Sequence, residues 1–361
     1  MPSVSGDELS KAFITRLKNV RPRFQKTQEE SLKWLAAAHA VHVKSEDAPR
    51  LEKLMRRVSC SPAQIGFRGH ETELNFHDKG TEDRTLLYRD AALGVFDQLL
   101  SDTDEAPEDL IHVTCTGYIS PSPAQIQIQK RGWSRATKVT HAYHMGCYAA
   151  FPAVRQALGF LKCSHGRVDV VHTEMCSLHV NPRDHAPEQM VVQSLFSDGF
   201  IRYSLQENLP EGSSLEVLVV QEEVIPDTVS AMTWVTGDFG MKMTLSKDVP
   251  PLISAELRGF IDRLLGREGL LFDREKSEMI FAIHPGGPKI LGQVSETLGL
   301  AETQIRHSRQ VLFEHGNMSS ATIPHIWEKI VGDAHVKPGT LILSLAFGPG
   351  LTICGALMQK R

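Results

Sequence analysis

The sequence has no C-x-x-C pair, no Gly-x-Ser-x-Gly elbow and no block of like charge, and each absence removes a class of protein. Its six cysteines, at 60, 115, 147, 163, 176 and 354, are scattered, so neither a disulfide framework nor a zinc ribbon is expected. The missing elbow argues against a serine hydrolase of the α/β type. The formal charge is only −4 and basic residues are dispersed among acidic ones, which removes the footprint of a nucleic-acid binder. Nothing resembling a signal peptide opens the chain, and the cytoplasm is the expected compartment. Long apolar runs are scarce too. Residues 340–358 carry no charge and match a membrane span of about 20 residues in length, yet Gly348, Pro349 and Gly350 interrupt them. Two short strands around a tight turn are expected there, and no membrane span.

The 361 residues are 41% hydrophobic and 23% charged, enough apolar material for two domains or one duplicated one and too much for long disordered tracts. Apolar runs at 110–113, 168–171 and 279–283 alternate with helical patterns at 154–161 and 289–298, which predicts an α/β fold with buried strands. The turn-like segment 207–214, with Pro210 and Gly212, is the natural break, giving halves 1–210 and 211–361. Residues 1–48 mix charge with helical spacing at Leu32, Leu35, Ala36 and Val43 and read as a peripheral helix or arm.

Three positions carry chemistry. Pro152 is tolerated only in the first turn of a helix, so a helix should begin close to Cys147 and put its thiol at a positive dipole end, where its pKa falls. A small buried hydrophobe is the alternative reading of that cysteine. His141, His144 and Cys147 share a spacing of three, but Pro152 starts the helix too late to gather them around a metal. His284 closes an apolar run and opens Pro285-Gly286-Gly287-Pro288, a turn that presents a side chain at a strand end or simply lies on the surface. Asn317 precedes a helical stretch, and locally a cap is its better explanation.

Taken in order, the stretches point further. Gly-Cys at 146–147, Ile-His-Pro-Gly-Gly-Pro-Lys-Ile-Leu at 283–291, His-Gly-Asn-Met-Ser-Ser-Ala at 315–321 and Phe-Gly-Pro-Gly-Leu-Thr at 347–352 resemble the signatures of type III polyketide synthases. These are the chalcone-synthase-like branch of the thiolase superfamily, and the resemblance runs from about residue 60 to the end of the chain. It implies a thiolase-like layered αβαβα fold of two similar halves, with Cys147 in the first and His284 and Asn317 in the second. Cys147 would be acylated from an acyl thioester. His284 would keep the thiol ionised and, with Asn317, stabilise the enolate formed as a malonyl unit loses carbon dioxide. The chain would close to a pyrone or phenolic ring. No metal or redox cofactor is implied, since coenzyme A thioesters enter as substrates.

The same resemblance places Phe196 and Met243 between the coenzyme tunnel and the cavity. It puts Trp234, Glu174, Cys176, His179, Thr116 and Ser319 on the cavity wall and gives the Gly348-Pro349-Gly350 loop a shaping role. Lys53, Arg56 and Arg57 form the nearest cluster for coenzyme A phosphates. The implied partners are acyl-CoA and malonyl-CoA or an acyl carrier protein, and a second copy in a homodimer meeting near Pro121. The sequence departs from the family pattern at Phe151 and Pro152 after the cysteine, at Ser197 where glycine is usual, and at Tyr118-Ile119-Ser120-Pro121. Those departures favour fatty or carrier-bound β-keto chains over plant phenylpropanoids. Two other readings use the same residues: a ketosynthase-III-like enzyme joining two acyl chains without malonyl extension, and a catalytically silent thiolase-fold protein that binds a carrier or a partner enzyme.

Overall fold

A computed structural model describes residues 11–20, 79–164, 166–181, 183–184, 186–208 and 212–361. The apolar runs become β2 (Asp109–Thr114), β4 (Val168–Met175) and β9 (Ile280–Ile283). β2 and β4 are buried throughout, which is why they read as continuous rather than alternating apolar stretches. The uncharged segment near the end folds back on itself as expected, β10 (Leu341–Gly348) pairing antiparallel with β11 (Thr352–Lys360).

One expectation fails. Within residues 1–48, Ala12–Val20 is neither helix nor arm but a strand, β1, hydrogen-bonded antiparallel to β5 (Asp198–Gln206) on one side and β6 (Leu215–Val224) on the other. Ala12, Phe13, Ile14 and Thr15 are buried there by partners far along the chain. The charges of Arg16 and Lys18 had hidden that strand. The helical spacing at Leu32, Leu35, Ala36 and Val43 lies outside the described residues, as does the middle of the 207–214 break.

With β3 (Lys138–Tyr143) at one edge, the strands form a nine-stranded sheet in the order β3-β2-β4-β5-β1-β6-β11-β10-β9. Each side of the β1/β6 junction repeats one plan. β1, helix Thr81–Leu99, β2, helix Ala150–Ser164, β4 and β5 are matched by β6, helix Val249–Gly266, β9, helix Thr322–Gly332, β10 and β11. In both sets the second strand is parallel to the third, the third antiparallel to the fourth, and the fourth antiparallel to the first. The core divides accordingly. Helices Ala150–Ser164 and Thr322–Gly332 form an inner layer, in one cluster with Ile14, Val170, Ala282 and Ala356 from both halves of the sheet. Helix Thr81–Leu99 covers the outer face of the first half and helix Val249–Gly266 that of the second. This is the layered αβαβα arrangement.

Trp327 binds the inner layer together. It is fully buried, donates Nε1–H to Ser344 Oγ at 2.9 Å, and meets Phe151 and Tyr203 edge-on. Trp327→Ala should lower the stability of the fold by about 3–5 kcal/mol through the cavity it leaves, seen as a lower midpoint in urea unfolding.

Candidate active site

Pro152 is the third residue of helix Ala150–Ser164, inside the first turn, and Cys147 lies in the turn just before it. Gly146 adopts φ 84°. A Cβ on it would stand 2.5 Å from Pro349 Cδ, so the cysteine turn and the Gly348-Pro349-Gly350 turn touch because residue 146 has no side chain. Gly348 closes the contact from the other side, where a Cβ would meet the Tyr148 ring at 2.4 Å. Phe151 packs into the inner core against Trp327 rather than crowding the thiol.

His284 follows the last residue of β9, and its backbone N–H donates to Leu345 O at 2.8 Å. Helix Pro288–Leu298 begins just beyond. Its ring is buried, and among the described residues neither ring nitrogen has a hydrogen-bond partner. Asn317 is held by its backbone: its N–H donates to Leu195 O at 3.0 Å and its C=O accepts from Ser197 N–H at 2.8 Å. Its Oδ1 accepts the Ser319 N–H at 2.9 Å, the capping contact expected locally. That contact fixes the carboxamide, so its N–H end is left to interact with the Cys147 thiol.

Two cavities meet at these residues. Cys147, His284 and Asn317 share the wall of one, of about 490 Å³, with Ile253, Ile290 and Phe347 on its far sides. The other, of about 600 Å³, is lined by Thr116, Cys176, His179, Trp234, Ser319 and Pro349, among others. Cys147, Val192, Phe196 and Met243 belong to both and form the constriction between them. Three expected lining residues lie elsewhere. Gly348 and Gly350 line neither cavity, since only Pro349 of their turn reaches the wall. Glu174 is fully buried beneath it, because its carboxylate is saturated by protein donors. Lys53, Arg56 and Arg57 lie outside the described residues.

Charge is arranged unexpectedly. Burial first, then the nearby Glu174 carboxylate, pushes the Cys147 thiol up to about 12, against the lowering expected from the helix dipole. Ser319 and Asn317 pull it the other way, the Ser319 hydroxyl lying 4.0 Å from the sulfur. Burial likewise holds His284 down at about 3, hence neutral. A thiol and an imidazole in these states charge readily only together, by passing the thiol proton to the ring. The supposed metal spacing dissolves. His141 bonds Ser122 Oγ and His144 donates to Trp234 O, each at 2.8 Å. Among the described residues no group of three His, Cys, Asp or Glu side chains is placed to hold a metal ion.

Residues 216–360 match the family of chalcone and stilbene synthases, C-terminal domain. The C-terminal type III polyketide synthase domain of the Dictyostelium hybrid enzyme Steely1 superposes with a TM-score of 0.87 at 25% identity, covering 97% of this chain and 99% of that one. The chain belongs to the type III polyketide synthases. Among curated members, the probable polyketide synthase 1 of Dictyostelium discoideum is 31% identical over 315 residues, which are 85% of this chain but only 10% of that protein. The 1,3,6,8-tetrahydroxynaphthalene synthase of Streptomyces coelicolor is 27% identical over 335 residues, 90% of this chain and 86% of the relative.

Some wall residues escaped the sequence reading. Gln189, Val192 and Gln193 line the larger cavity from helix Pro187–Leu195, just before Phe196. Their offsets of three, four and seven mark one helix face, a signal available in the sequence. Cys115 and Met241 had no such pattern. Because Glu174 raises the Cys147 thiol, Glu174→Gln should move its ionisation to lower pH. Iodoacetamide, which reacts with the thiolate, should then alkylate Cys147 at lower pH than in the unaltered protein, as followed by peptide mapping.

Proposed function

We propose that the protein is a type III polyketide synthase in activity as well as in kinship: Cys147 takes an acyl group from a thioester and condenses it decarboxylatively with malonyl units. The observation that carries this reading is the shared wall of the smaller cavity. It holds one thiol, one imidazole with both nitrogens unspent, and one carboxamide anchored by its oxygen.

In the loading step the Cys147 proton passes to His284, and the thiolate attacks the acyl thioester and expels the donor thiol. The malonyl thioester then occupies the same cavity with its carbonyl toward His284 and Asn317. As the C–C bond to the carboxylate breaks, carbon dioxide leaves and the electron pair becomes an enolate. Two fixed donors in a water-poor pocket stabilise its oxygen, each typically worth about 3–4 kcal/mol. The enolate carbon attacks the Cys147 thioester, the C–S bond breaks, and the sulfur leaves as thiolate. The lengthened chain has the larger cavity to fold into before it closes to a pyrone or phenolic ring.

This chemistry uses coenzyme A thioesters as substrates and needs no further cofactor. Donors on an acyl carrier protein fit the same scheme. Among the described residues no helix is long and apolar enough to cross a membrane, and we read the protein as a cytoplasmic homodimer. Tyr118, 59% exposed near Pro121, supplies apolar surface for a second copy.

Incubation with acyl-CoA donors should add the acyl mass to Cys147 and to no residue in Cys147→Ala, by intact mass and peptide mapping. Labelled malonyl-CoA should then enter the product. Acylation without malonyl use would favour the enzyme that joins two acyl chains, and no acylation by any donor would leave a binding protein. Asn317→Ala should still be acylated, while carbon dioxide release from malonyl-CoA falls by roughly 10²–10³-fold, the usual effect of losing one oxyanion donor.

A further inference from the structure

The larger cavity has an end wall whose hydrogen bonds are turned into the protein. Trp234 stands on β7 (Met232–Gly237), which pairs only with β8 (Gly240–Leu245). Its indole N–H donates to Cys115 O at 2.6 Å, and its own C=O accepts from His144. The His179 ring meets the indole edge-on with centroids 5.7 Å apart. His179 is committed at both nitrogens: Nε2–H donates to Thr116 O at 2.8 Å and Nδ1 accepts the Met241 N–H at 3.1 Å. These contacts fix one neutral tautomer.

The rest of the wall behaves alike. The Thr116 hydroxyl donates to Glu174 at 2.9 Å and accepts from Met175 N–H at 2.8 Å. Gln189 gives an amide N–H to Met243 O at 2.6 Å, and Gln193 gives one to Asn181 O at 3.3 Å. No Lys, Arg, Asp or Glu side chain reaches the cavity. What faces inward is aromatic ring, the thioether side chains of Met241 and Met243, valine and thiol, a soft apolar lining that adapts to flexible chains.

We propose that Trp234, backed by His179, is the determinant of starter choice, and that the site takes an unbranched, uncharged aliphatic acyl group in preference to a hydroxylated aromatic one. The inference rests on the acyl-transferring role of Cys147. A phenol pushed against this wall loses its water and meets no committed partner, whereas an alkyl tail loses nothing. A volume of about 600 Å³ is that of an ordinary small-molecule site, and Trp234 sets where it ends. Loading is a simple exchange. The acyl C–S bond to the donor breaks, a new one forms to Cys147 Sγ, and the thiol proton leaves on the donor thiol.

The test is a competition for Cys147 among linear saturated acyl-CoAs of increasing length and 4-hydroxycinnamoyl-CoA, read by mass. A linear chain should be loaded with kcat/KM at least roughly tenfold above the hydroxycinnamoyl donor, the scale set by one unpaired buried hydroxyl. Trp234→Ala should move the optimum to longer chains by raising kcat/KM for them relative to short ones. Trp234→Phe, which keeps a ring but loses the indole N–H, should keep the original cut-off. Hydroxycinnamoyl loading equal to or faster than every linear chain would overturn the proposal. So would an unchanged length optimum in a Trp234→Ala protein whose circular dichroism and unfolding midpoint show it folded. Failure of every donor to acylate Cys147 would instead remove the catalytic reading beneath it.

Discussion

A carboxylate with no access to water must find its donors inside the protein, and Glu174 finds them on two separate segments. From the loop after β2 come the Cys115 N–H, at 3.0 Å from Oε2, and the Thr116 hydroxyl. From the turn after Asn317 come the Ser320 N–H, at 3.3 Å from Oε1, and the Ser320 hydroxyl. One anion thus ties a loop of the first half to a turn of the second. Such bonds to a charged acceptor are individually stronger than neutral ones, and removing either segment would leave a buried charge underpaired. The parts of the site hang from these anchors. Cys115 Sγ accepts the Gly146 N–H at 3.0 Å beside the cysteine turn, and Ser320 follows directly on Ser319 and Asn317.

The same anchor works against the thiol. A negative charge in a dry interior disfavours a second one nearby, and Glu174 is the second cause, after burial, of the raised Cys147 thiol. A fold built this way needs a counter-charge that arrives with the proton transfer. A histidine already bonded to a carboxylate would be charged or oriented in advance. His284 is left with neither nitrogen committed among the described residues, free to take the thiol proton first and to donate to a substrate oxygen later. The orphaned imidazole and the over-supplied carboxylate are complementary features of one electrostatic design.

Much of this was legible in the sequence because proline and glycine restrict the backbone locally. Pro152 dated the start of its helix, Pro285 to Pro288 marked the strand end at His284, and Gly348 to Gly350 marked the β10/β11 turn. Asn317 read as a cap and is one: its oxygen holds the Ser319 N–H, and that local duty is what orients its amide toward the thiol. What could not be read depends on partners distant in sequence. β1 is a central strand only because β5 and β6 flank it, and nothing in Arg16 or Lys18 announces that. Glu174 looked like a wall residue because its neighbours Cys176 and His179 are. Its side chain alternates to the other side of the strand end, where donors await it.

The constriction between the cavities carries the last consequence of the packing. It is built from Val192 and Phe196 on one helix and its exit, from Met243 on the β7/β8 hairpin, and from the thiol itself. Both cavities can therefore reach Cys147, one from the side of His284 and Asn317 and the other from the side of Trp234. A rigid aromatic opposite Phe196 would hold that opening at one width. Methionine has rotatable bonds to spare and a polarisable sulfur, so the passage can widen for a growing chain and close again over a short one. The hairpin that carries it is nonetheless fixed in place, by Gln189 to Met243 O, His179 to Met241 N–H and Trp234 to Cys115 O. Backbone rigidity with side-chain freedom at one residue lets a single thiol serve a decarboxylating chamber and a chain-holding chamber without moving either wall.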